Sequence, residues 1–150
     1  MAERKQAKKH ATAAGTKSEG FSAEEKAAMR ARAKELKLAA EGEEAITAAL
    51  EKMAPADRAL GERIHALVTK TAPGLTPKTW YGMPAYANKD GKVICYFKNA
   101  GKFKMRYSEL GFNDAANLDE GAMWPIVYAL TKLTKADEAR ITKLVKQAVS

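Results

Sequence analysis

Apolar residues in the first half of the chain recur at helical spacing. Ser22 and Glu25 have the spacing of a capping box, which predicts a helix that begins at Ser22 and ends near Ala40. A second helix is predicted from Glu43 to Met53, because apolar residues recur there at i, i+3, i+4 and i+7. These apolar residues are Ile46, Ala49, Leu50 and Met53.

A third helix is predicted to begin at Pro55 and to end before Pro73, since proline suits a first turn and interrupts a helix interior. Its apolar face comprises Leu60, Ile64, Leu67 and Val68. The connection from the second helix is short, which predicts that the two form an antiparallel pair.

From Thr79 onward the pattern changes to alternation and aromatic residues, which is typical of strands. Strands are predicted at Thr79–Tyr81, Lys92–Phe97, Lys102–Tyr107 and Ala122–Leu130, with turns at Asp90-Gly91 and Asn99–Gly101 and a short helical turn from Phe112 to Leu118. Lys102–Tyr107 alternates most clearly, with Phe103 and Tyr107 on one face and lysines on the other. Pro125 lacks a backbone donor, which predicts an edge position for the last strand.

A last helix is predicted from the capping-box pattern of Thr134 and Asp137. Its inward residues are Ile141, Leu144, Val145 and Ala148. The order of elements predicts an α+β fold in which an antiparallel sheet packs against N-terminal and C-terminal helices.

Composition divides the chain into three predicted parts. Residues 1–20 show no apolar periodicity and are predicted to be a disordered basic arm, residues 21–40 a basic helix, and residues 41–150 an α+β domain. The net charge is +8, and residues 1–40 hold ten basic and five acidic side chains. Lys26, Arg30 and Lys34 repeat once per helical turn, which predicts either an anion-binding row that contacts nucleic acid or a solvated helix face.

Few residues suited to covalent catalysis are present. The histidines are His10 and His65, and the single cysteine, Cys95, lies at an inward strand position that predicts an inert buried thiol. His65 is predicted to be a partly buried structural residue, with a metal-binding Glu62–His65 pair as the alternative. No phosphate loop or dinucleotide fingerprint occurs, so we predict a non-enzymatic binding protein.

Localisation is predicted from the same features. The basic N-terminus is not followed by a hydrophobic segment, which predicts no secretory signal, and no apolar run approaches the roughly 18 residues of a membrane span. A single cysteine agrees with a reducing compartment. We therefore expect a soluble cytoplasmic protein without a membrane partner, either a monomer or a weak dimer formed through the edge strand.

Acidic clusters give a candidate metal site. Glu43 and Glu44 precede the second predicted helix, and Asp119 and Glu120 share a predicted loop. Hard cations prefer oxygen ligands, so these four carboxylates are the candidate ligands for a weakly bound metal. The alternative is that Glu43 and Glu44 only suit a helix N-terminus and that the others are ordinary loop charges.

The runs Pro73–Tyr86, Lys92–Lys98 and Gly121–Pro125 resemble the YdhG-like domain-of-unknown-function family, and Tyr81–Tyr86 is the most specific part. The resemblance covers residues 43–149. It implies a compact sandwich comparable with frataxin, and a role as an intracellular iron chaperone that passes weakly bound iron to an accepting protein.

Aromatic residues around Gly82–Pro84 predict a groove at a strand end. Its candidate lining is Trp80, Tyr81, Met83, Tyr86 and Trp124, with burial in the core as the alternative. Three functional hypotheses follow: an iron carrier, a nucleic-acid-associated protein that uses the arm and first helix, and a small-molecule-binding protein that uses this groove.

Overall fold

A computed structural model describes residues 21–150, so the predicted disordered arm lies outside the described residues. The helices are α1 (Ala23–Glu51), α2 (Pro55–Thr71), α3 (Ala100–Phe103) and α4 (Lys135–Ala148). The strands are β1 (Thr76–Trp80), β2 (Met83–Ala87), β3 (Val93–Lys98), β4 (Ser108–Phe112) and β5 (Val127–Leu130).

One continuous helix, α1, replaces the first two predicted helices, so the predicted end near Ala40 and the restart at Glu43 are wrong. Its predicted start is confirmed, because the Glu25 N–H donates to Ser22 Oγ at 3.1 Å. Gly42 does not interrupt the helix; a side chain there would overlap the backbone carbonyl of Pro77 in β1. This glycine is therefore required by a close approach of two backbones.

The chain forms two compact units, and the division between Lys37 and Leu38 falls inside α1. Every residue from 21 to 38 is exposed, including the apolar side chains of Met29 and Leu36. In the second unit, Gly42, Ile46 and Leu50 are buried at a spacing of four residues, which is the pattern of a helix with one inward face.

The predicted antiparallel pairing of helices is confirmed for α2 and the C-terminal half of α1. Glu43 contacts His65, whereas Leu50, further along α1, lies against Gly61, earlier in α2. The Arg58 guanidinium donates to the carbonyl oxygens of Leu50 and Glu51, at 3.2 and 2.7 Å. The Leu50 carbonyl oxygen also accepts the Met53 N–H at 3.0 Å, so Arg58 adds to the hydrogen bonds that close the end of α1.

The five strands form one antiparallel sheet in the order β1-β2-β3-β4-β5, which confirms the predicted α+β class. Each strand pairs with the next along the chain, so β1 and β5 are the edges. Of the predicted strand Ala122–Leu130, Val127–Leu130 forms β5, and Pro125 precedes this edge strand. Residues 113–118 form a turn and irregular chain, so the short helical turn predicted from Phe112 to Leu118 is wrong.

The predicted strand Lys102–Tyr107 is also wrong. Ala100–Phe103 forms the short helix α3, which ends at Lys104 in the left-handed region (φ 53°), and β4 begins only at Ser108. The Ser108 hydroxyl accepts a hydrogen bond from the Ala100 N–H at 3.0 Å and so holds the start of α3. Because Ser108 belongs to the next strand, the alternation within Lys102–Tyr107 could not predict this contact.

A two-residue turn replaces the predicted break after Thr79–Tyr81. Tyr81 and Gly82 have φ of 51° and 74°, and they join β1 to β2, a strand that the alternation pattern does not predict. Both central residues have positive φ, as in the hairpin turns that match strand twist. Pro84 is tolerated in β2 because the pairing of β2 with β3 begins only at Ala85.

The core lies between the helices and one face of the sheet. Its largest members include Ile46, Ile64, Val68, Tyr86, Phe97, Leu110, Phe112 and Val145. The inward face predicted for the last helix is confirmed by buried Ile141, Val145 and Ala148, and the predicted capping box of Thr134 and Asp137 is present. Cys95 is buried among these residues, as predicted.

None of the helices within residues 21–150 combines the length and apolarity that crossing a membrane requires.

Candidate functional site

A cavity of about 700 Å³ lies at the end of the sheet where the β1–β2 turn meets α3. The C-terminal half of α1 and the first turn of α2 close its other sides. The apolar lining is Ala45, Ala48, Ala49, Met53 and Ala54, and the polar lining includes Lys52, Asp57, Asn99 and Lys102. All of these residues belong to the second compact unit.

The apolar floor of the cavity arises from the spacing of alanines along α1. Ala45, Ala48 and Ala49 stand three and four residues apart, so they share one side of the helix. That side adjoins the face through which Ile46 and Leu50 enter the core. Methyl side chains give an apolar surface but fill little space, so a cavity remains where larger residues would close it.

Asn99 is the most informative polar residue of the lining. It is only 4% exposed, yet its side chain makes no capping bond to α3 and has no hydrogen-bond partner among the described residues. Every fully enclosed side-chain nitrogen or oxygen in residues 21–150 does have a partner. The amide of Asn99 therefore keeps access to the cavity that it lines, and a ligand or water there would satisfy it.

Other residues accept the free N–H groups at the start of α3, so the Asn99 side chain is not needed as a cap. The Ala100 N–H donates to Ser108 Oγ at 3.0 Å, and the Gly101 N–H donates to Asp57 Oδ2 at 2.9 Å. An asparagine in this position commonly caps a helix with its own side chain. Here the capping is supplied from β4 and α2, and the Asn99 amide remains available.

Two ammonium groups stand at the cavity. Lys52 follows the end of α1 and Lys102 belongs to α3, and both are exposed. Lys102 Nζ donates to the carbonyl oxygen of Tyr81 at 3.2 Å and folds over Gly82. Of the residues that line the cavity, Asp57 alone carries a carboxylate, so the described lining has an excess of positive charge.

The structure does not bring the five residues of the predicted aromatic groove together. The ring centroids of Trp80 and Tyr81 are 4.9 Å apart, and those of Trp80 and Tyr96 are 5.2 Å apart. Tyr96 follows Cys95, the partner of Tyr86 across the strands, so Tyr86 points to the opposite face of the sheet from Tyr96 and Trp80.

The other two members of the predicted groove, Met83 and Trp124, have surroundings that differ from each other. Met83 is only 6% exposed and pairs with Trp80 across the hairpin. Trp124 lies before β5 and lines a shallow depression with Met123 and Asp119. The alternative prediction of core burial thus describes Tyr86 and Met83, whereas Tyr81 is 79% exposed.

Tyr86 and His65 form a hydrogen-bonded chain that ends at Glu43. The Tyr86 hydroxyl is 2.7 Å from His65 Nδ1, and His65 Nε2 is 2.9 Å from Glu43 Oε2. A neutral imidazole with its proton on Nε2 satisfies both contacts. Burial raises the pKa of Tyr86 well above its ordinary value, so its hydroxyl stays protonated. The chain joins α1, α2 and β2, in agreement with the structural role predicted for His65.

The predicted metal ligands lie in two separate parts of the fold. Glu43 and Glu44 are on α1, and Asp119 and Glu120 are in the segment between β4 and β5; all four are exposed. Across residues 21–150, no three His, Cys, Asp or Glu side chains stand close enough to share a metal ion. Glu62 and His65 therefore gain no third ligand of these types within the described chain.

The predicted anion-binding row lies on the exposed half of α1. Lys26, Arg30 and Lys34 are all exposed and follow one another at one-turn spacing. Within the described chain none of the three has an ion pair.

Sequence reasoning missed the cavity, although part of its signal is visible. Ala45, Ala48 and Ala49 widen the apolar face of α1 without bulky side chains, which is a pattern compatible with a cavity floor. The sequence pattern predicts only a turn at Asn99. The Asn99 amide is not used as a cap because Ser108 and Asp57 accept the α3 N–H groups, and these two residues are distant from one another in sequence.

Comparisons with known proteins leave the chain without an assigned family. No protein-family model matches it, no curated protein matches it, and no solved structure matches it. The resemblance to YdhG-like proteins therefore stays a prediction.

Proposed function

We propose that this chain is a small non-enzymatic binding protein whose ligand is a small organic molecule held in the cavity beside Asn99. The amide of Asn99, which has no hydrogen-bond partner among the described residues and keeps access to the cavity, is the observation that supports this proposal. A ligand that replaces water on this amide with a direct hydrogen bond gains about 0.5–1.5 kcal/mol. The volume of about 700 Å³ lies in the range of small-molecule sites.

The lining supports binding rather than covalent catalysis. Neither a histidine nor a cysteine lies among the described residues that line the cavity, and Asp57, its carboxylate, already accepts the Gly101 N–H. The apolar floor excludes water from one side of a ligand, while Asn99 and the two lysines provide orientation. The proposed ligand site includes Gly82, near which the groove is predicted, but its lining is different.

A cavity-filling variant tests the proposal. Ala49→Leu places a larger side chain on the floor, and Ala40→Leu makes the same change at an exposed position of α1 outside the cavity. A fragment screen by saturation-transfer NMR should find ligands that bind the native protein and the Ala40→Leu variant but not Ala49→Leu. Fragments that bind all three proteins equally, or no binding fragment at all, would contradict the cavity as the site.

A second candidate function is association with nucleic acid through α1, supported by the exposed row of Lys26, Arg30 and Lys34. Phosphate contacts make such binding fall steeply with salt. Converting the three residues to glutamine should weaken binding to duplex DNA and reduce the salt slope by about 0.9 per lost phosphate contact.

The matched control removes three positive charges elsewhere. Lys132, Lys143 and Lys146 are exposed near or on α4, and their conversion to glutamine changes the net charge equally. If both triple variants weaken DNA binding equally, the effect comes from the net charge of the protein, and the α1 row is not the binding site.

An iron-carrying role, implied by the resemblance, is the third proposal. Its candidate ligands are the exposed carboxylates Glu43, Glu44, Asp119 and Glu120. An anaerobic titration with ferrous iron, followed by NMR, should broaden the amide signals next to one of these pairs, and magnesium serves as the control. Joint conversion to glutamine and asparagine should abolish the broadening; broadening that persists would remove this assignment.

A further inference from the structure

From the charges around the cavity, we infer that its ligand is a small organic monoanion, such as a carboxylate, with an apolar tail. The inference rests on the proposed function, because it names the chemical class that the same cavity accepts. Lys102 and Asn99 bind the anionic head, and the alanine floor of α1 contacts the tail.

Lys102 is a cation without a countercharge. Its ammonium donates to the neutral carbonyl of Tyr81 at 3.2 Å and lies 5.4 Å from the centre of the Phe103 ring. None of the ion pairs found in the described chain includes Lys102. An ammonium can donate three hydrogen bonds, so donors remain for an anionic ligand.

The one carboxylate of the lining does not cancel this charge. Asp57 Oδ2 accepts the Gly101 N–H, and the position of Asp57 in the first turn of α2 suits the positive end of that helix. With Lys52 the lining carries two positive charges against one negative charge. A monoanion neutralises the remaining charge, whereas an organic cation would be repelled by both lysines.

Asn99 adds a directional donor or acceptor to the site. A carboxylate accepts from an amide NH₂ and from an ammonium at the same time, so a single head group can satisfy Asn99 and Lys102. A neutral alcohol can pair with Asn99 but leaves the charge of Lys102 without a partner. The apolar tail then contacts the floor formed by Ala45, Ala48 and Ala49, with Met53 beside it.

A matched set of eight-carbon probes tests the inference on the full chain. Octanoate, octanol and octylamine have the same apolar tail, and their head groups are an anion, a neutral hydroxyl and a cation. Methyl NMR titrations, followed at the cavity alanines and below micelle-forming concentrations, give the dissociation constants. We expect octanoate to bind about tenfold more tightly than octanol, since a charge-assisted hydrogen bond contributes roughly that factor, and octylamine to bind weakest.

Variants then locate the head group. Lys102→Gln should weaken octanoate about tenfold and leave octanol unchanged, whereas Lys143→Gln, an exposed lysine on α4 outside the cavity, should change neither. Asn99→Asp keeps the size of the side chain but places a negative charge beside the head group, so octanoate should bind at least about tenfold more weakly.

The outcomes separate this inference from the proposed function. Equal binding of octanoate and octanol, or equal weakening of octanoate by Lys102→Gln and Lys143→Gln, would overturn the monoanion inference and leave cavity binding in place. If none of the three probes shifts the cavity methyl signals, both this inference and the proposed function are overturned. Weakened octanoate with unchanged octanol in Lys102→Gln supports both.

Discussion

Gly42 shows how one residue without a side chain determines the approach of a helix to a sheet. In the interior of α1 an alanine would normally stabilise the helix by about 1 kcal/mol relative to glycine. At Gly42, however, a Cβ atom would overlap the carbonyl oxygen of Pro77, and this oxygen belongs to the backbone of β1 and not to a flexible side chain. We therefore predict that Gly42→Ala destabilises the protein, by about 1–3 kcal/mol.

Urea denaturation measures this effect, and Gly74→Ala is the matched control. A Cβ atom at Gly74 would meet no other atom within 4 Å, so its replacement by alanine should be neutral or slightly stabilising. A Gly42→Ala variant as stable as the native protein would show that α1 is not held against β1 as described.

The hydrogen-bonded chain of Tyr86, His65 and Glu43 supports a second prediction at the residue scale. Tyr86→Phe removes the hydroxyl that contacts His65 Nδ1 at 2.7 Å, in a position that is 1% exposed. The loss should lower the free energy of unfolding by about 1–2 kcal/mol. Tyr81→Phe removes a hydroxyl from a residue that is 79% exposed and should change stability little in the same chemical denaturation experiment. Equal effects of both variants would argue against the chain as a stabilising contact.

At the scale of a single element, the N-terminus of α4 predicts a pH dependence. Hydrogen bonds from the Thr134 N–H and hydroxyl lower the pKa of Asp137 below its ordinary value. A carboxylate whose pKa is lower in the folded state stabilises the fold above its unfolded pKa of about 4, and this contribution is lost as the pH falls through the folded pKa.

Asp137→Asn should therefore have a lower urea midpoint than the native protein at pH 7, and the difference should shrink as the pH falls below the ordinary carboxyl pKa of about 4. Asp90→Asn, in the exposed turn before β3, is the control and should show no such pH-dependent difference. A difference between Asp137→Asn and the native protein that is constant across the pH range would contradict the capping role of the carboxylate.

The two parts of α1 predict different local stabilities within one helix. Residues 21–38 are all exposed, whereas Gly42, Ile46 and Leu50 are buried. Helices without a packed face open at low cost in free energy. Hydrogen-exchange mass spectrometry should show fast exchange of the amides in residues 26–38 and protection by orders of magnitude in residues 46–50. Uniform protection along α1 would mean that its first half also packs on a partner.

For the molecule as a whole, Cys95 reports cooperative unfolding. The thiol is fully buried in the core, and burial raises its pKa to about 12, so thiolate is scarce in the folded protein. Its reaction with a thiol reagent should follow the fraction of globally unfolded protein as urea increases. Ser150→Cys adds an exposed thiol, which should react at once in the same sample. Fast reaction of Cys95 without urea would show that the core opens locally.

Patterns with a regular local period allow several parts of this fold to be predicted from sequence. The starts of α1 and α4, the bounds of α2, the strand observed as β3 and the burial of Cys95 all follow from capping residues and apolar spacing. These signals depend on neighbours within about one helical turn, so the sequence carries them directly.

Contacts between distant residues account for the rest of the fold. Lys102–Tyr107 alternates like a strand, but Ser108 and Asp57 hold the two residues before it, Ala100 and Gly101, in a helical turn. From the sequence alone, Gly42 is compatible with a break between two helices, whereas the structure shows that it allows α1 to approach Pro77. The cavity forms where α1, α2, the β1–β2 turn and α3 meet, and Ser108 and Asp57, not Asn99, accept the N–H groups at the start of α3.

The sequence by itself determines the periodic patterns of apolar residues and the concentration of basic residues in the N-terminal part of the chain, because these are local properties. The availability of the Asn99 amide has a different origin, because the residues that cap α3 in its place, Ser108 and Asp57, lie beside α3 only after folding. The same is true of the cavity, whose walls come from four separate segments. Only the folded arrangement brings these residues together, because no local period links positions so far apart in sequence.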